Sequence, residues 1–468
     1  LQFQAWPGGT GALMERLIRE RGAAAFERQP IDIAPWEGPL PASEEDVAYL
    51  PAHRLGALLR ARHITSVELT GIYLERLKRY DPLLLCVATL LEGRAREEAQ
   101  QVDAEIRRGE WRGPLHGVPW GVKDLFSARG APTMWGDADF EQQVIDEDAE
   151  VIVRLRAAGA VLLAKLATGQ FALGDRWFRG RTNNPWNLEL GSSGSSAGPA
   201  SAAAAGLVGF SIGTETQGSI LSPSRRCGIS ALRPTFGRIS RAGGMVLSWS
   251  MDKPGPMCRS IEDCALVFHV VHGADPADPA TLTTPFRFER RADLAGLRIG
   301  YAEGTPESFM EALRALGAEL TELPELPRVR TPSIAVESAA AFDFHVGEAA
   351  RAAEERGEEP PRGRFLSGRG IGALEYVQAQ RRRWRAMQEW EARLAGLDAF
   401  VGGGGDTNQT GHPAVVVPYA FGPEGDQTHD QPRTVTLFGP VFEDDRLLAI
   451  ADAYQRTRDW HLRRPELG

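Results

Sequence analysis

The stretch GSSGSSAGPASAAAAGLVGFSIGTETQGSI, Gly191–Ile220, constrains the fold more than any other part of the chain. Serine and glycine usually mark loose connections, yet here they flank two strong structure formers. Ala197–Ala205 is rich in the best helix-forming residue, and Pro199 falls in the first turn, where its missing N–H costs nothing. LVGFSI, at 207–212, then reads as a strand. A helix of that length runs roughly 13 Å, and a six-residue strand returns roughly 20 Å. A helix out and a strand back therefore place GTETQGS beside GSSGSS, two serine-glycine loops facing each other at one edge of a sheet. Ser195 or Ser196 then sits at the helix N-terminus, where free N–H groups and the helix dipole favour negative charge. Either loop alone reads as a turn or cap; the pair reads as a site.

Helix and strand patterns alternate around this unit. TSVELTGIYLERLKRY, from Thr65, opens with a capping box, Thr65 and Glu68. GPLHGVPWGVKDLF alternates Val118, Trp120 and Val122 and predicts a short strand ending at Lys123. DAEVIVRLRAAGAVLLAKL predicts a helix, a glycine stop at Gly159 and a buried strand running into Lys165. RSIEDCALVFHVVHG and EALRALGAEL predict helices, LRIGYAEG, AVVVP and RTVTLFG strands, and a last helix runs from about Asp444 to Trp460. The alternation predicts an α/β fold, with an N-terminal arm over 1–44 and a single domain over 45–468.

Composition narrows the function. A net charge of −9 argues against a nucleic-acid partner, which needs a basic face, and no apolar run approaches a membrane span. RRRWR, at Arg381–Arg385, reads as a solvated helix face. The cysteines, Cys86, Cys227, Cys258 and Cys264, form neither a disulfide framework nor a Cys-x-x-Cys zinc pair, which fits a reducing, cytoplasmic compartment. The chain starts at Leu1, so a removed leader stays open. Basic charge is carried almost wholly by arginine: of 53 basic residues only Lys78, Lys123, Lys165 and Lys253 are lysine. A buried lysine can lose its proton and act as a base, whereas arginine stays charged.

A nucleophilic serine needs a base and an oxyanion hole. Gly218 permits close approach, and successive N–H groups of its loop can converge on an oxyanion. The base is lysine or histidine. The histidine alternative takes Gly194-Ser195-Ser196-Ala197-Gly198 as the Gly-x-Ser-x-Gly elbow of an α/β-hydrolase esterase, with His412 as base. That elbow must follow a buried strand, and RTNNPWNLELGS before it reads as polar loop.

These motifs resemble those of the amidase signature enzymes. The family's pattern is Gly-Gly-Ser-Ser-Gly-Gly-Ser, an alanine-rich helix, then Gly-Thr-Asp-Thr-Gly-Gly-Ser-Ile, with 24 residues between two serines; Ser195 and Ser219 are 24 apart. GVPWGVKD with Lys123, NNPW, CGISALRPTFGRISRAGG, SMDKPGPMCRSIEDCA and TGHPAVVVP also match, so the resemblance covers roughly 45–460. It implies a large mixed β-sheet surrounded by helices, with no metal or organic cofactor. It implies Ser219 as nucleophile, Ser195 as a bridging serine with a cis peptide bond, Lys123 as base, and the N–H groups of Thr216, Gln217, Gly218 and Ser219 as oxyanion hole. The reaction implied is hydrolysis of a carboxamide, with anilides, esters and carbamates open to the same chemistry. Three departures stand out: Ala197 and Pro199 in the first loop, Glu215 for aspartate, and Gln217 for glycine.

The expected partner is a small amide or carbamate, with neither nucleic acid nor membrane; a homodimer is left open, as is a role in a tRNA-dependent amidotransferase as its amidase subunit. Variable segments at 127–144, 174–181 and 305–373 are expected to build the pocket. Met134, Trp135, Trp177, Phe178, Trp249 and Phe342 suggest an apolar or aromatic acyl group. Lys165 reads as half of a structural ion pair and Lys253 as loop structure. His269 and His272 answer a helix dipole rather than bind metal, and GGGGD at Gly402–Asp406 lines a pocket.

Overall fold

The computed structural model describes residues 5–6, 9–329, 331–355, 357, 363–423 and 430–467. Eleven strands form one mixed sheet: β1 (Val87–Leu90), β2 (Pro119–Lys123), β3 (Val161–Leu166), β4 (Phe210–Glu215), β5 (Ser230–Arg233), β6 (Lys253–Cys258), β7 (Arg298–Tyr301), β8 (Glu319–Glu322), β9 (Ala399–Val401), β10 (Ala414–Gly422) and β11 (Gln431–Phe438). Their order is β1-β3-β2-β4-β6-β5-β10-β11-β9-β7-β8. Strands β2, β3 and β4 run parallel to one another, so their carboxyl ends, carrying Lys123, Lys165 and Glu215, open on the same side. In an open α/β sheet that is where ligands bind. The two loops therefore meet at the carboxyl ends of interior strands, not at an edge of the sheet.

Strands β2, β3, β5 and β6 are buried along their whole length, which explains the near-continuous apolar runs that end in lysine in β2 and contain one in β3. The alanine helix, Ala197–Ala204, is buried at every position. Small side chains let it lie close to the sheet: a Cβ on Gly198 would stand 2.4 Å from Ala167 N and 2.5 Å from the Cys86 carbonyl. The helix Ser66–Leu84 has the expected capping box, both halves made.

Four expectations need correction. The last helix ends at Gln455, with a separate 3₁₀ turn at Trp460–Leu462. The stretch before Ser195 is not loop throughout: Asn183–Asn184 and Asn187–Gly191 pair as a short antiparallel ladder. Lys253 opens the buried strand β6 rather than sitting in a loop. Arg381, Arg382 and Arg385 are exposed, but Arg383 is buried, donating to Ser250 Oγ at 2.6 Å and to the Ser250 carbonyl at 2.9 Å; a buried guanidinium needs acceptors, and this loop supplies them. No described helix is long and apolar enough to cross a membrane. Every cysteine is buried with a free thiol.

Candidate active site

The two loops are fastened to each other. Ser196 N–H donates to the Ser219 carbonyl at 3.1 Å, and the Ser193 and Ser222 hydroxyls are 2.8 Å apart. Ser196 Oγ accepts from Thr214 N–H and donates to the Thr214 carbonyl, both at 3.1 Å, stapling the helix start to β4. The Gly194–Ser195 peptide bond is cis, and the Ser195 carbonyl accepts from Gly169 N–H at 3.3 Å.

Lys123, at the end of β2, is fully buried. Its Nζ lies 2.8 Å from Ser195 Oγ, 2.9 Å from Thr214 Oγ1 and 3.4 Å from the Thr214 carbonyl. Complete burial pushes the ammonium down to about 7, although Asp252 and Glu215 pull the other way.

Ser219 is half-buried, within reach of solvent. Among the described residues no acceptor takes the N–H of Gln217, Gly218 or Ser219. Gly218 has φ +91°, a conformation other residues enter with strain. This turn is held from below by Glu215, whose carboxylate accepts from the N–H groups of Ile220 (2.8 Å) and Leu221 (2.9 Å) and pairs with Arg233 at 2.9 Å. Burial would raise that carboxyl, but Arg233, the Leu221 N–H and Lys253 overcome it and hold it at about 2. The replacement of aspartate by Glu215 thus leaves a working anchor. On the other flank Thr216 Oγ1 donates to Asp252 Oδ1 at 2.6 Å. Thr214, Arg233 and Asp252 were assigned no role from sequence. Arg233 and Asp252 lie inside motifs quoted above, ALRPT and SMDKPGP, but only their placement reveals what they hold.

The other candidates separate cleanly. Lys165 Nζ pairs with Asp124 Oδ1 at 2.6 Å and donates to Thr133 Oγ1 at 2.6 Å, a structural ion pair as expected. Lys253 donates to the Met251 carbonyl, and burial pushes it well below the ordinary lysine range. His412 is not placed as a base: its Nδ1 is hydrogen-bonded to Thr410 Oγ1 at 2.8 Å, its ring packs on Trp390, and burial beside Arg233 pushes it down to about 3. The strand before Ser195 is largely open to solvent, which also departs from a nucleophile elbow. His269 and His272 lie at the end of the helix Ile261–Val271; burial first, then Arg28 beside His269 and Arg238 beside His272, pushes both below the ordinary histidine range. Among the described residues no cluster of metal-ligating side chains occurs.

The expected pocket residues fall into two clusters. Trp135 and Phe342 pack with Leu125, Phe171, Met245 and Leu247. Met134 and Trp177 pack with Ala88 and Ala167, and Phe178 lies against them. Trp249 joins neither; it is 63% exposed, with Arg241 over its ring. The first cluster is linked to the Thr216–Ser219 loop through Asp252, which accepts from Leu247 N–H and from Thr216 Oγ1, both at 2.6 Å. Of the segment 305–373, residues 330, 356 and 358–362 lie outside the described residues. The Gly402–Gly405 loop does line a cavity, of about 590 Å³, with Gln217, Gly218, Arg225 and Arg433.

Comparison with known proteins agrees with this geometry. The family model named Amidase matches residues 68–353. A glutamyl-tRNA(Gln) amidotransferase subunit of Roseiflexus sp. (strain RS-1) is 33% identical, over 88% of this chain and 96% of its own. The native peptide amidase of Stenotrophomonas maltophilia is 30% identical with a TM-score of 0.77, over 89% of this chain and 98% of that one. An amidase family protein of Bacillus anthracis shares the fold with a TM-score of 0.80 at 24% identity, over 90% of this chain and 93% of that one. By these likenesses the chain belongs to the amidase signature family, hydrolases acting on amide bonds.

Proposed function

We propose that the chain cleaves a carboxamide through an acyl-enzyme on Ser219. The observation that carries the proposal is the contact of a buried lysine, held near neutrality, with Ser195 Oγ at 2.8 Å. A neutral amine has two N–H bonds and one lone pair. The Thr214 carbonyl and hydroxyl take the N–H bonds, which leaves the lone pair for the Ser195 proton. Ser195 in turn takes the proton of Ser219 as its oxygen attacks the carbonyl carbon. The oxyanion is received by the N–H groups of Thr216, Gln217, Gly218 and Ser219. The relay then runs backward and protonates the departing nitrogen as the C–N bond breaks. Water repeats the sequence on the ester and releases the acid.

The acyl group faces the Trp135, Phe342, Met245 and Leu247 cluster in this reading, which favours an apolar or aromatic acyl amide, with anilides and aryl carbamates as further substrates. Gln217 narrows the space beside the oxyanion hole.

The setting of the reaction is a separate question. The likeness to amidotransferase subunits over most of both chains favours a chain that works within a tRNA-dependent amidotransferase, as its amidase subunit. The likeness to a peptide amidase supports a free-standing enzyme. Purified chain tested on glutamine, on a peptide amide and on an aryl anilide decides among them. Turnover of the amide or anilide without a partner supports the free-standing form. Glutamine hydrolysis that appears only on adding partner subunits supports the assembled one. Turnover that survives Lys123→Ala on every substrate refutes the relay in both.

A further inference from the structure

A cavity of about 650 Å³ lies away from the serine loops. One wall is the N-terminal arm, with Phe26, Arg28 and Ile31; the other is the end of the helix Ile261–Val271, with His269 and His272. Its size is that of a small-molecule site.

Its polar groups are unusual. His272 is 6% exposed and Thr284 1% exposed, and both line the cavity. Among the described residues neither His272 ring nitrogen, nor Thr284 Oγ1, nor His269 Nδ1 has a hydrogen-bond partner. Buried polar atoms are nearly always paired, so this group calls for a partner supplied from the cavity. Arginine outnumbers carboxylate in the lining, with Arg28, Arg112 and Arg154 against Glu27. Arg28 donates to the Val270 carbonyl at 3.2 Å and the His272 carbonyl at 2.6 Å, and it makes no ion pair among the described residues. Arg154, beside it, donates to the carbonyls of Val271, Gly273 and Ala274 and pairs with Glu150. These bonds cap the helix end and explain why the arginines are there. They leave unexplained the orphaned imidazole and hydroxyl, and the rest of the Arg28 fork. Phe26, Ile31, Leu115 and Phe286 line the remaining surface with apolar groups.

We propose that this cavity binds a small organic monocarboxylate with an apolar or aromatic body. The carboxylate accepts from Arg28 and from the His272 and Thr284 side chains, and the body lies against Phe26, Leu115 and Phe286. The site is independent of the serine loops, so the proposal stands or falls separately from the amide chemistry.

Calorimetry on the full chain with benzoate, benzyl alcohol and inorganic phosphate tests it, repeated on Arg28→Met and His272→Phe. Saturable binding of benzoate, with the other two much weaker, is expected. Each substitution should weaken benzoate by about tenfold or more, the loss of one charge-assisted bond, while kcat/KM for an amide substrate stays as in the parent and the Tm of Arg28→Met falls only modestly, by the loss of its two bonds to the helix end. Arg28 lies at the rim, so its variant decides if His272→Phe fails to fold. Three results overturn the proposal: no saturable benzoate binding, binding unchanged in Arg28→Met, or benzyl alcohol or phosphate binding as tightly as benzoate.

Discussion

Replacing Lys123 with Met should destroy activity and change how the stability of the fold depends on pH. Burial lowers this lysine from 10.5 to about 7. Each unit is worth about 1.4 kcal/mol, so at or below pH 7 carrying the lysine costs the folded state about 5 kcal/mol. Methionine removes that cost but leaves the Ser195 and Thr214 hydroxyls short of a partner, at about 1–3 kcal/mol each. The two effects largely offset at pH 7, leaving a net change between about −1 and +3 kcal/mol. The pH dependence is the sharper test. Between pH 7 and 10.5 the unfolded chain holds the lysine proton and the folded one does not, so wild-type stability rises with pH relative to the variant. The variant's stability relative to wild type should fall by about 3 kcal/mol between pH 7 and 10. Urea unfolding of both proteins at pH 7, 8, 9 and 10 measures the difference, in which groups common to both cancel. A difference that does not vary with pH would mean that Lys123 is not held near neutrality in the fold, and the proposed base would be lost.

The same depression makes wild-type kcat/KM climb with pH through about 7 and level off above it, because the neutral amine is the active form; a profile that falls over this range contradicts it. Lys123→Arg should be nearly as inactive as Lys123→Ala, since arginine keeps its proton, whereas His412→Ala should lower kcat by less than about tenfold if His412 takes no part in the chemistry. Gln217→Gly should widen the range of acyl groups accepted, read as kcat/KM across a matched acyl series, and an unchanged ranking would refute the steric role given to Gln217. Asp124→Asn should destabilise by about 3–5 kcal/mol, because it strands the buried Lys165 charge; denaturant unfolding reads it, and a loss under about 1 kcal/mol contradicts the ion pair's role.

Much of this site was legible in sequence because its pieces are local. The helix-and-strand return between Ser195 and Ser219 is set by alanines, a proline and a six-residue apolar run, and these decide where both loops lie. Lys123 was visible because the chain uses so little lysine. What sequence could not supply is what crosses between distant segments. Arg233 reaches Glu215, Thr407 and the His412 carbonyl, and nothing in ALRPT indicates those partners. Arg383 looked solvated because its neighbours in RRRWR are, and one helical position out of five turns inward. Trp249 is aromatic and lies near the motifs, yet it stands largely exposed at the surface beside Arg241. The fold's interior β2, β3 and β6 were hard to rank as central or edge from pattern alone, which is why the loops were placed at an edge.

The most direct test is the acyl-enzyme itself. A slowly hydrolysed aryl ester or anilide is mixed with the protein, quenched in acid, and the intact mass and peptide map are read. The expected result is one acyl group per chain, on Ser219, absent in Ser219→Ala and strongly diminished in Ser195→Ala and Lys123→Ala. Acyl transfer to Ser195 or to another residue, or full turnover by Ser219→Ala, would contradict the proposed chemistry outright.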